Sequence, residues 1–92
     1  MPIKIRIPTP LQKLTQGKDV IEASGATLKA VLKELDVQYP GIGERLWDEK
    51  GALRRFINFY INDEDVRFLK GEESPLKEGD ELSIVPAIAG GI

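Results

Sequence analysis

The sequence predicts an α+β domain in which a sheet of four to five strands carries one main helix across one face. Three patterns lead there. Apolar residues alternate with polar ones in "IKIRI" near the start, and again in "FINFYI" and "ELSIVP" later on. Between these stretches, "TLKAVLKEL" changes to helical spacing.

In residues 3–7, Ile3, Ile5 and Ile7 alternate with Lys4 and Arg6, the period of a half-buried strand. "PTP" at 8–10 ends it, because proline has no N–H to give a ladder. From there to Lys18 the chain reads as a polar loop with Gly17 at its end. "DVIEA" at 19–23 reads as a second strand, in a hairpin with the first. Leu28, Val31, Leu32 and Leu35 then fall on one helical face, with Lys29 and Lys33 toward solvent. Thr27, or Ser24 if the helix starts early, supplies the cap, and Pro40-Gly41 stops the helix.

Residues 42–51 offer Ile42, Leu46 and Trp47 in a short turn or one-turn helix, with Trp47 as a lid over the end of the main helix. "LRRFINFYIND" at 53–63 is the strongest strand, with Ile57, Phe59 and Ile61 facing one way and Phe56, Asn58 and Tyr60 the other. "NDED" makes a tight turn, and "VRFL" reads as a short strand continuing from it. The three adjacent carboxylates of that turn lack the spaced ligands and central glycine of a calcium loop, so no metal site is assigned. After turn chemistry at Glu78-Gly79-Asp80, Leu82 and Ile84 point inward, Ser83 and Val85 outward, and Pro86 ends the ladder. The domain is accordingly expected to occupy residues 1–86, with 87–92 a flexible C-terminal tail.

Composition narrows the function. The 92 residues are 41% hydrophobic and 30% charged, as in a globular chain, and hold no apolar run long enough to span a membrane. The N-terminus lacks the features of a signal peptide, so the expected location is cytoplasmic. With no Cys and no His, the chain has neither a thiol nucleophile nor the commonest metal ligand and general base. A net charge of −2 gives no footprint for nucleic acid. Ten Lys/Arg and seven Asp/Glu lie in residues 1–61, against three and eight in residues 62–92. That acidic C-terminal third is either a solvated surface or a means of steering the tail to a basic partner.

The last six residues, "AIAGGI", place Gly90-Gly91 just beyond the final strand. The order of elements, "INDEDVRF" after the third strand, "PLKEGDELSIVPAIAGG" and the diglycine together resemble the MoaD/ThiS-type ubiquitin-like sulfur carriers. The resemblance covers nearly the whole chain. "SGATLKAVLKELDVQYPGIGERL", "RFINFYINDEDVRF" and "IVPAIAGG" are most similar to the carriers of a cysteine-synthesis route.

The resemblance implies a β-grasp fold with a mixed sheet, and a protein substrate rather than an enzyme. In such carriers a ubiquitin-activating-type enzyme uses ATP to adenylate the terminal glycine, here Gly91. Sulfide or a persulfide then displaces AMP and leaves a thiocarboxylate. For the cysteine branch the implied partners are a PLP-dependent cysteine synthase, where the sulfur is donated, and a zinc metalloprotease, which releases the product. The chain itself is expected to bind no cofactor or metal. Delivery to molybdopterin, thiamine or tRNA thiolation, or conjugation as a ubiquitin-like modifier, are the alternatives. Docking is expected on the sheet face opposite the helix, at Phe56, Tyr60 and Val85, with Arg54 and Arg67 as polar neighbours.

Physical chemistry gives the tail residues their reasons. A carboxylate is a poor acceptor until adenylation supplies a leaving group. A slim extended segment is needed to enter a narrow channel, which Ala89, Gly90 and Gly91 provide by lacking bulk. Ile92 departs from the family pattern, because Gly91 is amide-bonded to it and has no free carboxylate. Either a protease removes Ile92 before activation, the favoured reading, or Ile92 blocks the chemistry; activation on Ile92 itself is disfavoured by its branched Cβ.

Overall fold

Ile3 and Ile5 are buried along β1 (Ile3–Arg6), while Lys4 and Arg6 between and beyond them stay in solvent. The structure, a computed structural model, describes residues 2–54 and 57–86. β1 pairs antiparallel with β2 (Val20–Ala23), placing Ile5 opposite Ile21, so the expected hairpin forms. Its connection differs from the polar loop read from sequence. Thr9–Thr15 is a 3-10 helix whose Leu11 and Thr15 are buried. Proline in its first turn presets the backbone, and the Thr15 hydroxyl donates to the Lys18 carbonyl at 2.8 Å, so a segment rich in polar residues still has a reason to coil.

Helix α1 (Leu28–Gln38) lies where the spacing puts it. Leu28, Val31, Leu32 and Leu35 are all 0% exposed. Thr27 rather than Ser24 is the cap, its hydroxyl accepting from the Ala30 N–H at 3.2 Å. The approach to the helix is tight: a Cβ on Gly25 would lie 2.7 Å from the Val31 nitrogen, so only glycine fits. Past Pro40-Gly41, Asp36 accepts from the N–H groups of Gly41 and Gly43 at 3.3 and 2.8 Å, and a one-turn helix α2 (Gly43–Leu46) follows. Ile42 and Leu46 are buried, and half-buried Trp47 packs against the core beside them.

β3 (Ile57–Ile61) turns through Asn62-Asp63 into β4 (Glu64–Asp65). Both turn residues have positive φ, 50° and 71°, a conformation that Asn and Asp tolerate better than most residues. "VRFL" does not continue as a strand. The Asp65 carboxylate accepts from the Arg67 N–H at 2.8 Å and bends the chain off the ladder into a 3-10 helix, Val66–Phe68. A second 3-10 turn, Gly71–Glu73, leads to buried Ser74, whose carbonyl accepts from the Leu28 N–H.

The last strand, β5 (Glu81–Pro86), enters the middle of the sheet, parallel to β1 and antiparallel to β3. The order β2-β1-β5-β3-β4 makes a mixed five-stranded sheet with α1 across one face, the β-grasp arrangement that the resemblance implies. Among the described residues no helix is long and apolar enough to cross a membrane.

Candidate functional site

The site assembles on the sheet face turned away from α1. Alternation in β3 and β5 sends Phe59, Ile61, Leu82 and Ile84 into the core, so Asn58, Tyr60, Ser83 and Val85 share the other face. Their register is fixed by direct pairs, Asn58 opposite Val85 and Tyr60 opposite Ser83. Tyr60 and Val85 are therefore diagonal neighbours, close enough for an aromatic ring to reach. Tyr60 is half-buried and Val85 is exposed. Toward β1 the face becomes charged, where Arg6 Nε meets Glu81 at 2.8 Å.

Arg67 reaches this face because of the bend after β4. Asp65 lies opposite Tyr60 and holds the Arg67 guanidinium through Nε and Nη2, the latter at 2.8 Å. That pairing holds the Asp65 carboxyl below its ordinary value and raises Arg67, with a smaller contribution to Arg67 from Tyr60. Arg54 is placed differently. Its Nε and Nη2 donate to the Glu44 carbonyl at 3.1 and 2.9 Å, which ties it to α2.

Pro86 stands at the end of the central strand, opposite Ile57, and the tail continues from there. β5 pairs with β1 through Glu81–Ser83 and with β3 alone from Ile84 to Pro86. Of the residues singled out by sequence, Tyr60, Val85, Arg54 and Arg67 are placed by the structure. Phe56, Ala89, Gly90, Gly91 and Ile92 lie outside the described residues.

One feature escaped the sequence reading. β4 pairs only with Tyr60 and Ile61, so among the described residues the outer edge of β3 from Ile57 to Phe59 has no neighbouring strand. A groove of about 550 Å³ runs along it. Leu53, Ile57, Phe59 and Val66 form its apolar walls, with Arg54 and Arg67 among its polar lining. Reading "VRFL" as a strand closes this edge on paper; the signal that opens it is the Asp65–Arg67 pair, two residues apart. Among the described residues no cluster of three His, Cys, Asp or Glu gathers as a metal site.

Comparison with known proteins agrees with this geometry. Residues 5–91 match the ThiS family. The chain is 47% identical over 93 residues to the sulfur carrier protein CysO of Mycobacterium tuberculosis, covering 99% of this chain and 100% of that one. Its fold superposes on CysO in the crystal structure of the Amycolatopsis orientalis BexX/CysO complex with a TM-score of 0.90 at 46% identity, covering 97% and 99% of the two chains. The small archaeal modifier protein 1 of Methanosarcina acetivorans is also similar, at TM-score 0.84 and 31% identity, with 98% and 96% covered.

Proposed function

The chain belongs to the ThiS family and is a sulfur carrier protein, and from that premise we propose that it carries sulfur on Gly91 for cysteine biosynthesis. Removal of Ile92 by a protease frees the Gly91 carboxylate. A ubiquitin-activating-type enzyme transfers AMP from ATP to that carboxylate, releasing pyrophosphate. A sulfide sulfur then attacks the acyl carbon, AMP departs, and a thiocarboxylate remains. Its soft, anionic sulfur adds to an aminoacrylate held by a PLP-dependent cysteine synthase. An S-to-N acyl shift gives an amide-linked cysteine, which a zinc metalloprotease hydrolyses from the carrier. The carrier contributes no catalytic group to any of these steps. Its work is to present the tail and to be recognised, in the cytoplasm, through Tyr60 and Val85, joined by Phe56.

The observation that carries this reading is likeness along the whole chain to a carrier named for this role, in a sequence with a diglycine just beyond the central strand. A second reading, a modifier joined through Gly91 to lysine side chains, draws on the likeness to the archaeal modifier. Intact mass spectrometry of the protein from its native cell separates the two. The carrier reading expects chains lacking Ile92, a fraction of them with one oxygen replaced by sulfur. Chains that all retain Ile92 and hold no added sulfur would overturn it. Isopeptide-linked adducts on other proteins would favour the modifier.

A further inference from the structure

We propose that Arg67 is the polar anchor of the outer face, donating to a main-chain carbonyl of the adenylating enzyme, and that Asp65 is the residue that positions it. Both roles rest on the docking reading above and give it a named polar contact.

Asp65 is 9% exposed, and both of its carboxylate oxygens are given to Arg67. Oδ1 accepts from the Arg67 backbone N–H at 2.8 Å and from Nε at 3.2 Å. Oδ2 accepts from Nε at 3.2 Å and from Nη2 at 2.8 Å. The backbone bond makes the bend into the 3-10 helix, and the side-chain bonds lock the plane of the guanidinium. The free carrier thus already bears the cost of ordering a long side chain, and docking does not bear it again.

Asp65 engages only the Nε side of that plane. Among the described residues Nη1 donates to nothing, and the Arg67 side chain is 66% exposed. The fork formed by Nη1 and the second N–H of Nη2 is therefore open to a partner. Its place suits docking. Asp65 lies opposite Tyr60 in the sheet, and Arg67 lines the groove together with Asn58, which is paired with Val85. Arg67 stands where the outer face meets the groove, on the path of a segment laid across Tyr60 and Val85.

Charge selects the acceptor. The Asp65–Arg67 pair carries no net charge, so a second carboxylate on the open fork would be repelled by the first. A main-chain carbonyl accepts from the same N–H groups without that repulsion.

The test is calorimetric titration of the full chain and its variants against the ubiquitin-activating-type enzyme, with a melt of each variant alone. Arg67→Gln should weaken binding at least about tenfold, equally at low and at high salt. Arg67→Lys keeps the charge without the fork and should not restore affinity. Asp65→Asn keeps an Oδ1 acceptor for the bend but turns a donor toward Nη2. It should weaken binding by a similar factor in the wild type and cause no further loss in an Arg67→Gln background. An equal loss in both backgrounds overturns the positioning role, because Asp65 would then act through the bend alone. Wild-type affinity in Arg67→Gln overturns the proposal, and a loss abolished by high salt overturns the carbonyl in favour of a carboxylate. Val85→Ser keeps the premise separate. If Val85→Ser weakens binding and Arg67→Gln does not, the docking reading stands and this proposal falls; if neither does, both fall.

Discussion

On the inner face of the sheet Ile5, Phe59, Leu82 and Ile84 are at most 3% exposed, whereas on the outer face Tyr60 is half-buried and Val85 remains 41% exposed. Both sets come from the same strands, one residue apart. The inner set gains its burial free energy within the chain, about 1.5–3 kcal/mol for each large side chain. Among the described residues no second layer covers the outer set. If the face docks a partner, as proposed above, its apolar surface gains that free energy only when the partner covers it. The two faces should accordingly respond to substitution in opposite ways, the inner through stability and the outer through recognition.

The largest effect belongs inside. Leu32 is 0% exposed in the middle of α1, so Leu32→Ala leaves a cavity where helix meets sheet. A loss of about 2–5 kcal/mol is expected, a large share of a small domain's stability. Denaturant titration reads it directly. An unchanged midpoint would mean that the inner face is not what holds the fold together.

Next comes Gly25→Ala, which overfills the same interface rather than emptying it. The added methyl would stand 2.7 Å from the Val31 nitrogen and 2.8 Å from its Cγ2, at the foot of a helix already fixed by Thr27. Neither contact is the loose end of a flexible side chain. A destabilisation of about 1–3 kcal/mol is expected from thermal melts read beside Leu32→Ala. A wild-type melt would show that the β2–α1 connection yields.

These two positions also mark how much the sequence could tell. α1 was legible because its four apolar residues repeat at 3.6 and meet one surface. The central strands were legible because alternation and burial coincide in them. The need for glycine at position 25 was not, since it depends on where Val31 comes to rest. Nor were the 3-10 helices Thr9–Thr15 and Val66–Phe68, which are held by local hydrogen bonds such as Thr15 to Lys18 and Arg67 to Asp65 and leave no periodic trace. At the candidate site, alternation put Tyr60 and Val85 on one face. It was silent on the groove beside them, because an open edge is made by a strand that stops early.

A smaller, pH-dependent effect tests the seam between the faces. Asp80 accepts from the Asn62 side-chain amide and from the Lys77 N–H, each at 2.9 Å, tying the β3–β4 turn to the start of β5. The Asn62 amide first, and then the Lys77 N–H, hold its carboxyl below the ordinary value. Folded protein therefore takes up this proton less readily than unfolded chain. The contribution is complete above the ordinary aspartate range, near about 4, and fades as the pH falls through the lower folded value. The Asp65 carboxyl, depressed by Arg67, acts with the same sign. Asp80→Asn should flatten the acid limb of a plot of melting temperature against pH. An unaltered limb would assign acid sensitivity elsewhere.

The smallest stability effect is expected at Val85, and there the comparison of faces is sharpest. Its side chain is 41% exposed, it lies opposite Asn58 rather than a large apolar partner, and only Pro86 follows it in the strand. Val85→Ser keeps the backbone ladder and removes apolar surface that the chain itself barely uses. The melting temperature should stay close to wild type, within the roughly 0.5 kcal/mol usual for surface changes. If the face is a docking surface, the same change should weaken binding to the adenylating enzyme, because there the lost apolar area would have been fully covered. Calorimetric titration against that enzyme, beside a melt of the free variant, reads both quantities on one sample. Weakened binding with an unchanged melt places the outer face in recognition. A lowered melt with unchanged binding would mean that Val85 serves the fold, and that the two faces differ in degree of burial and not in purpose.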